Sequence, residues 1–252
     1  MRRGRKRGQV LVIAAFGMAL ILLSTQVYIF KVKQGQSSSD HDFLGDYVLD
    51  IKLGSNHAVA ASLINVSNGG PASILGDNLE RWEVLVAGDY RFGRCDLNST
   101  LASQSPYSQG VWLDWGNEGV SVSSASSDFN LNIGGRGVDV NLDFEVNVTT
   151  TVLLSGGFTV LGGNSKAVTV YLNLLNEGRP ALHGSTTLTY QRTPGQWADP
   201  TVLDDYSAVD YGNGTYRHTF SDSIEGETVS VRVQTYDLRG VFVQAEATLT
   251  EG

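Results

Sequence analysis

The residues from 138 to 149 alternate strictly between apolar and polar side chains. The apolar set is Val138, Val140, Leu142, Phe144, Val146 and Val148, and the polar set is Asp139, Asn141, Asp143, Glu145, Asn147 and Thr149. Alternation of this length predicts a β-strand with one buried and one wet face, which is typical of antiparallel sheets. Residues 129–133 alternate in the same way before the sequence GGRG at 134–137, so together they predict a long antiparallel hairpin.

Helices are expected before this hairpin and strands after it. Apolar side chains at helical spacing predict one helix from Leu44 onward and a second one containing Leu75, Leu79, Trp82 and Val86 and ending near Gly93. The sequence LLSGG at 153–157 is predicted to be a hinge. These patterns predict an α+β domain over residues 43–154.

The C-terminal part carries short alternating segments separated by turn-rich sequences. They lie at residues 168–174, 185–191, 215–220, 228–236 and 241–249. Spacing of this kind predicts an all-β antiparallel sandwich over residues 155–252. Val229, Val231 and Val233 are expected on its buried face, covered by a second sheet made of the strands at 168–174, 185–191 and 241–249.

The segment from Gln9 to Phe30 contains no charged residue and follows five basic side chains. These are Arg2, Arg3, Arg5, Lys6 and Arg7. A helix of this length spans about 33 Å, enough for a bilayer core. The charge asymmetry predicts a cytoplasmic leader at 1–8, a transmembrane helix at 9–30, a hydrophilic spacer at 31–42 and a body outside the cell membrane. We expect the segment to be retained, because no pair of small residues follows its apolar core as a secretory cleavage site requires.

The basic leader ending in Gly8, followed by Gln9 and an unbroken apolar run, resembles the class III signal of archaeal type IV pilin-like surface proteins. The resemblance implies cleavage between Gly8 and Gln9 by a prepilin-type peptidase, and assembly with copies of itself or with other pilin-like subunits. The bacterial branch of that family has Glu at the fifth mature position, where this chain has Ile13.

A second resemblance covers the C-terminal strands. These strands resemble the last strands of immunoglobulin-like surface domains. One strand opens with Gly214-x-Tyr216, and the final hairpin turns at Asp237–Gly240. The Cys…Trp…Cys pattern of antibody domains is absent, so the resemblance implies only the broad sandwich class.

The charge balance excludes nucleic acid as a partner. Residues 34–252 carry 11 basic and 26 acidic side chains, a net charge of −15. Binding to phosphates needs Lys and Arg, whereas this surplus of acids suits a soluble, self-repelling body. Cys95 is the only cysteine, so disulfides within the chain are excluded, and a buried, chemically inert side chain is expected.

No catalytic or cofactor motif is present. His41, His57, His183 and His218 are too scattered for a metal cluster, and no HExxH, GxSxG or CxxC occurs. We therefore expect no enzymatic activity and no cofactor. The acids Asp199, Asp204, Asp205 and Asp210 could converge on Ca²⁺, although a solvated loop is the favoured interpretation.

Two further patterns concern carbohydrate. Asn-x-Ser/Thr occurs at Asn65, Asn98, Asn147 and Asn213, of which Asn147 and Asn213 are the better candidates for glycosylation. Trp112 and Trp115 could stack on sugar rings, but within a strand they would lie on opposite faces, so we expect at least one of them in the core.

Two functional hypotheses follow. The first is a membrane-anchored, outward-facing, pilin-like structural or adhesive surface protein without catalytic activity, whose partners are membrane lipid, the processing peptidase and other subunits. The alternative is a monomeric signal-anchored ectodomain that binds carbohydrate or cell-envelope components.

Overall fold

The computed structural model describes Gln26 and residues 44–91, 93–135 and 138–252. These residues form a mostly β structure with two helices and two antiparallel sheets. The chain divides into two compact units, residues 1–52 and 53–252. The predicted membrane segment lies, except for Gln26, outside the described residues, and no helix within them is long and apolar enough to cross a bilayer.

Both predicted helices are present. Helix α1 covers residues 44–67, and helix α2 runs from Ile74 to Asp89. Leu75, Leu79 and Val86 of the predicted apolar stripe are buried. Trp82 of the same stripe is half-buried, and its Nε1 donates a hydrogen bond to Ser55 Oγ at 3.0 Å, which fixes α2 against the second half of α1.

The remaining described residues form twelve strands and one short 3₁₀-helix. The strands are β1 (Arg94–Leu101), β2 (Val111–Trp115), β3 (Val120–Gly135), β4 (Val138–Gly162), β5 (Ser165–Asn176), β6 (Arg179–Pro180), β7 (His183–Thr193), β8 (Gln196–Ala198), β9 (Ser207–Asp210), β10 (Thr215–Ser223), β11 (Val229–Asp237) and β12 (Phe242–Leu249). The 3₁₀-helix is Pro200–Val202.

Sheet 1 has the strand order β1-β3-β4-β5-β10-β9, with β2 pairing with β3 and β6 with β5. The predicted hairpin is confirmed as β3–β4, with Phe129 opposite Phe144 and Leu131 opposite Leu142. Its apolar side chains Phe129, Leu131 and Ile133 are almost fully buried. The alternation therefore predicted the buried face of β3 correctly.

The predicted hinge at residues 153–157 was wrong. These residues lie inside β4 and pair with β5, from Leu153 opposite Asn173 to Gly157 opposite Thr169. Gly156 and Gly157 are paired with Val170 and Thr169 of β5, so the two glycines do not interrupt the strand. The domain boundary predicted at residue 155 falls inside this same strand, and the independent folding of residues 155–252 stays a prediction.

Sheet 2 has the strand order β12-β11-β7-β8. The predicted partition of strands was partly wrong: β7 and β12 flank β11 in one sheet, whereas β5 belongs to sheet 1. One core cluster contains buried side chains from both sheets, among them Val231 and Val233 of β11 and Val170 and Leu172 of β5. Val152 and Leu154 also belong to this cluster, so a fragment beginning at residue 155 would lack two core side chains.

Gly119 joins the two sheets through backbone hydrogen bonds. Gly119 N donates to Glu246 O of β12 at 2.8 Å, and Gly119 O accepts from Leu154 N of β4 at 2.6 Å. Gly119 has φ +80°, and a Cβ placed on it would lie 2.4 Å from Leu154 O. Only glycine fits this junction without displacing the strands.

Candidate functional site

The solvent-facing side of β1, β3 and β4 presents three rows of polar side chains. Strand register aligns Asp96 with Asn132 and Asn141, Asn98 with Asn130 and Asp143, and Thr100 with Asp128 and Glu145. We call these nine residues the polar face. The alternation of the strands produces it, because every second residue points away from the buried Phe129 and Leu131 side.

Side-chain amides on the polar face are linked in a directional chain. Asn141 Nδ2 donates to Asn132 Oδ1 at 2.7 Å, and Asn132 Nδ2 donates to Asn130 Oδ1 at 2.5 Å. Asn130 Nδ2 in turn donates to the Asp143 carboxylate at 2.7 Å. These bonds fix the amide groups across two neighbouring strands.

Two shallow depressions of about 450 Å³ each lie on the polar face and share Asn98. The charged and amide residues that line the first are Arg94, Asp96, Asn132 and Asp139, beside Ile133 and Gly134. The second is lined by Asp128, Asp143 and Glu145, together with Thr100, Asn130, Phe129 and Phe144. Five carboxylates against one guanidinium make this surface acidic, so it disfavours anionic polymers. The described residues contain no group of three or more His, Cys, Asp or Glu side chains that could hold a metal ion.

The two tryptophans lie on opposite sides of β2, as predicted, but neither is in the core. Trp112 is half-buried beside the polar face, where Tyr107 packs edge-on against it with ring centroids 6.1 Å apart. Trp115 is 38% exposed; its ring contacts Phe242 at 5.1 Å and its Nε1 donates to Ser123 Oγ at 3.0 Å.

Three of the four acids considered for Ca²⁺ accept local hydrogen bonds. Asp199 caps the 3₁₀-helix by accepting from the backbone and hydroxyl of Thr201, and Asp210 accepts from Gly212 N at 2.7 Å. Hydrogen bonds from Ser221 lower the pKa of Asp205. Asp204 belongs to no metal-binding group within the described residues.

All four asparagines of the Asn-x-Ser/Thr motifs are exposed. Asn65 lies on α1 and Asn98 on β1; Asn147 lies on β4, where its Nδ2 donates to Tyr107 Oη at 3.1 Å. Asn213 lies in the turn between β9 and β10, and its Oδ1 accepts from Thr215 N at 3.2 Å. The four asparagines are thus on the surface, although Ser67 of the Asn65 motif is buried. Glycosylation of these sites stays a prediction.

Of the histidines, His41 lies outside the described residues and His57 is exposed on α1. His218 is buried on β10, and its Nδ1 lies 2.8 Å from Tyr206 Oη. Burial is the larger cause that lowers the pKa of His218, and electrostatic repulsion from the nearby His183 is the smaller one. The neutral imidazole is therefore a core side chain.

A buried tyrosine gives a pH-dependent prediction. Tyr190 is fully buried and donates its hydroxyl proton to Asp222, which also accepts from Arg192 Nε at 2.6 Å. Burial and the adjacent Asp222 raise the pKa of Tyr190 from 10.0 to about 12. Because the folded protein holds this proton more tightly, the contribution is fully present below pH 10 and is lost as the pH rises to 12, by about 2–3 kcal/mol.

Urea unfolding at a series of pH values checks this expectation. Wild type should lose stability between pH 10 and 12, and Tyr190→Phe should lose markedly less over the same interval. Equal slopes for the two proteins would contradict the assignment.

Sequence reasoning missed the contribution of β1 to the polar face. Asp96, Asn98 and Thr100 alternate with the inward-facing Cys95 and Leu97, which are buried. This short alternation was the available signal, although it does not indicate which strand β1 pairs with.

A comparison of this chain with protein-family models gives no match, and a comparison with curated proteins gives none either.

Proposed function

We propose that this protein is a membrane-anchored, outward-facing, pilin-like structural or adhesive component of the cell surface. The observation that carries the proposal is the uncharged segment Gln9–Phe30, with five basic side chains before it and a net charge of −15 on residues 34–252. Membrane lipid, a prepilin-type peptidase and other pilin-like subunits are its proposed partners.

The order of elements supports this proposal. An apolar segment is followed by helices α1 and α2 and then by the long antiparallel β3–β4 hairpin, which is the plan of a pilin-like α+β head. The last strands, with the turn Asp237–Gly240 between β11 and β12, fit an immunoglobulin-like sandwich whose core includes side chains of β4.

The surface chemistry also fits a domain that is exposed to water outside the membrane. The polar face is acidic and open to solvent, and the asparagines of all four glycosylation motifs are exposed. The proposal assigns the protein no catalytic activity and no cofactor.

The processing step gives a direct test. Mass spectrometry of the wild-type protein from its membrane should find Gln9 as the first residue, and Gly8→Leu should leave an uncut chain beginning at Met1, because peptidases of this class need a small residue before the cut. Gly4→Leu, which makes the same change within the leader, should still be processed. Met1 on the wild-type protein would contradict the pilin-like part of the proposal and leave a plain membrane anchor.

A further inference from the structure

The solvent-facing side of sheet 2 differs in composition from the polar face. Strand register aligns its outward side chains in rows: Phe242, Tyr236 and Ser185; Gln244, Gln234 and Thr187; Glu246, Arg232 and Thr189. In the next row Gln191 of β7 is paired with Trp197 of β8. We call this surface, together with Trp115 beside Phe242, the aromatic face.

Aromatic rings lie at both ends of this surface. At one end Phe242 contacts Trp115 and Tyr236, each at 5.1 Å between ring centroids, and leaves these two rings 38% and 37% exposed. At the other end Trp197 lies under the Arg232 guanidinium, 4.0 Å from the ring centroid. Ser230, in the last row, lies six positions along β11 from Tyr236, a distance of about 20 Å.

Between the aromatic ends the side chains are amides and hydroxyls. Gln234 Nε2 donates to Gln244 Oε1 at 2.8 Å, which orients the amide pair, and the neighbouring Thr187 is exposed. An amide can make up to four hydrogen bonds, so the pair has donor and acceptor capacity left for hydroxyl groups.

The aromatic face is electrically neutral within a strongly acidic protein. The charged side chains in its rows are Arg232 and Glu246, which pair with each other at 2.7 Å. The polar face, in contrast, carries a clear excess of carboxylates. A neutral ligand therefore meets no charge repulsion at the aromatic face, and an anionic one gains nothing from it.

We propose that the aromatic face is a binding surface for a neutral polysaccharide. Sugar rings have apolar C–H faces that stack on Trp and Tyr, and hydroxyl rims that bond to amides, and the surface offers both along about 20 Å. This inference deepens the adhesive role in the proposed function and rests on it, because it names the class of molecule to which the protein adheres.

Native gel electrophoresis of the full chain through immobile polysaccharide tests the proposal. The chain, with net charge −8, is run in a detergent without a sugar headgroup through gels containing a β-glucan, a galactomannan, an arabinoxylan or pullulan. At least one of these polymers should retard the wild type, and carboxymethylcellulose should retard it less. Trp197→Ala and Tyr236→Ala should each raise the Kd for the polymer by about tenfold.

Trp112→Ala, the same change beside the polar face, is the matched control and should bind as wild type. Thr187→Arg blocks the centre of the aromatic face from an exposed position, so it tests the site even if an aromatic variant folds poorly. The proposal is overturned if none of the four neutral polymers retards the wild type, or if the variants on the aromatic face bind as tightly as wild type. It is equally overturned if these variants abolish self-association in sedimentation experiments instead, because the occupant is then a second copy of the chain.

This assay does not depend on membrane topology. If the protein is cut after Gly8 but binds no polysaccharide, only this inference is rejected. If it binds polysaccharide but still begins at Met1, only the pilin-like function is rejected.

Discussion

Replacing Asp237 with alanine is expected to lower the free energy of unfolding by about 3–5 kcal/mol. The residue is 2% exposed and its carboxylate accepts four hydrogen bonds. Oδ2 accepts from Arg239 Nε at 2.7 Å and from Thr150 Oγ1 at 3.0 Å; Oδ1 accepts from Arg239 N at 2.9 Å and from Val241 N at 3.0 Å.

These bonds do two things for the fold. They close the turn between β11 and β12, and through Thr150 of β4 they connect sheet 2 to sheet 1. Alanine would leave the Arg239 guanidinium with only the exposed Glu177 as its counter-charge. It would also leave two backbone N–H groups without an acceptor.

Denaturant unfolding followed by circular dichroism measures this effect. Asp210→Ala is the matched control, because the exposed Asp210 also accepts a turn hydrogen bond, from Gly212 N at 2.7 Å, and its loss should cost no more than about 1 kcal/mol. Equal losses for the two variants would show that the buried network does not hold the sheets together.

Val231→Asp is expected to prevent folding of the sandwich altogether. Val231 is fully buried in the core cluster shared by the two sheets. An aspartate there has no cationic partner, so it must either bury a charge or take up a proton, and we expect a loss of more than about 4 kcal/mol.

Gln234→Asp is the control for this change, because it introduces the same side chain three residues further along β11 on the exposed face. It loses the bond to Gln244 and should cost about 1 kcal/mol or less. A cooperative, native-like thermal transition for Val231→Asp in circular dichroism would contradict the position of this strand.

The sequence predicted side-chain faces better than strand partners. Alternation in β3, β4 and β11 depends only on neighbouring residues. Each side chain predicted to be apolar and inward-facing is buried or half-buried, wherever the structure describes its burial. Which strands share a sheet depends on contacts distant in sequence, and here the predicted partition failed: β7 and β12 pair with β11 instead of facing it. The exposed rows of the polar and aromatic faces depend on the same long-range register.

Glycines were the second source of error. Gly156 and Gly157 suggested a hinge, yet they are paired strand residues of β4. Gly54 lies inside α1, where a glycine ordinarily costs helix stability, but a Cβ at that position would lie 2.2 Å from the Trp82 ring. Its role is to let the second helix approach, and a contact of this kind cannot be inferred from one helix alone.

Arg232 shows that the contacts of an exposed polar side chain also depend on strand register. It alternates with the buried Val231 and Val233 and so belongs to the solvent-facing side of β11, where substitutions are ordinarily inexpensive. The structure adds the ion pair with Glu246 and the stacking on Trp197, both set by strand register. A reversal of its charge would place two carboxylates side by side, so Gln234 is the better control position.

The central claim is that the body lies outside the membrane, and cysteine labelling on intact cells tests it most directly. Val202 is 77% exposed, whereas the natural Cys95 is 3% exposed, so Val202→Cys adds one accessible thiol to a chain whose own thiol is shielded. A membrane-impermeant maleimide should label Val202→Cys on intact cells as fully as after lysis and leave the wild type unlabelled. Labelling of Val202→Cys only after lysis would place the body inside the cell and contradict the proposed function.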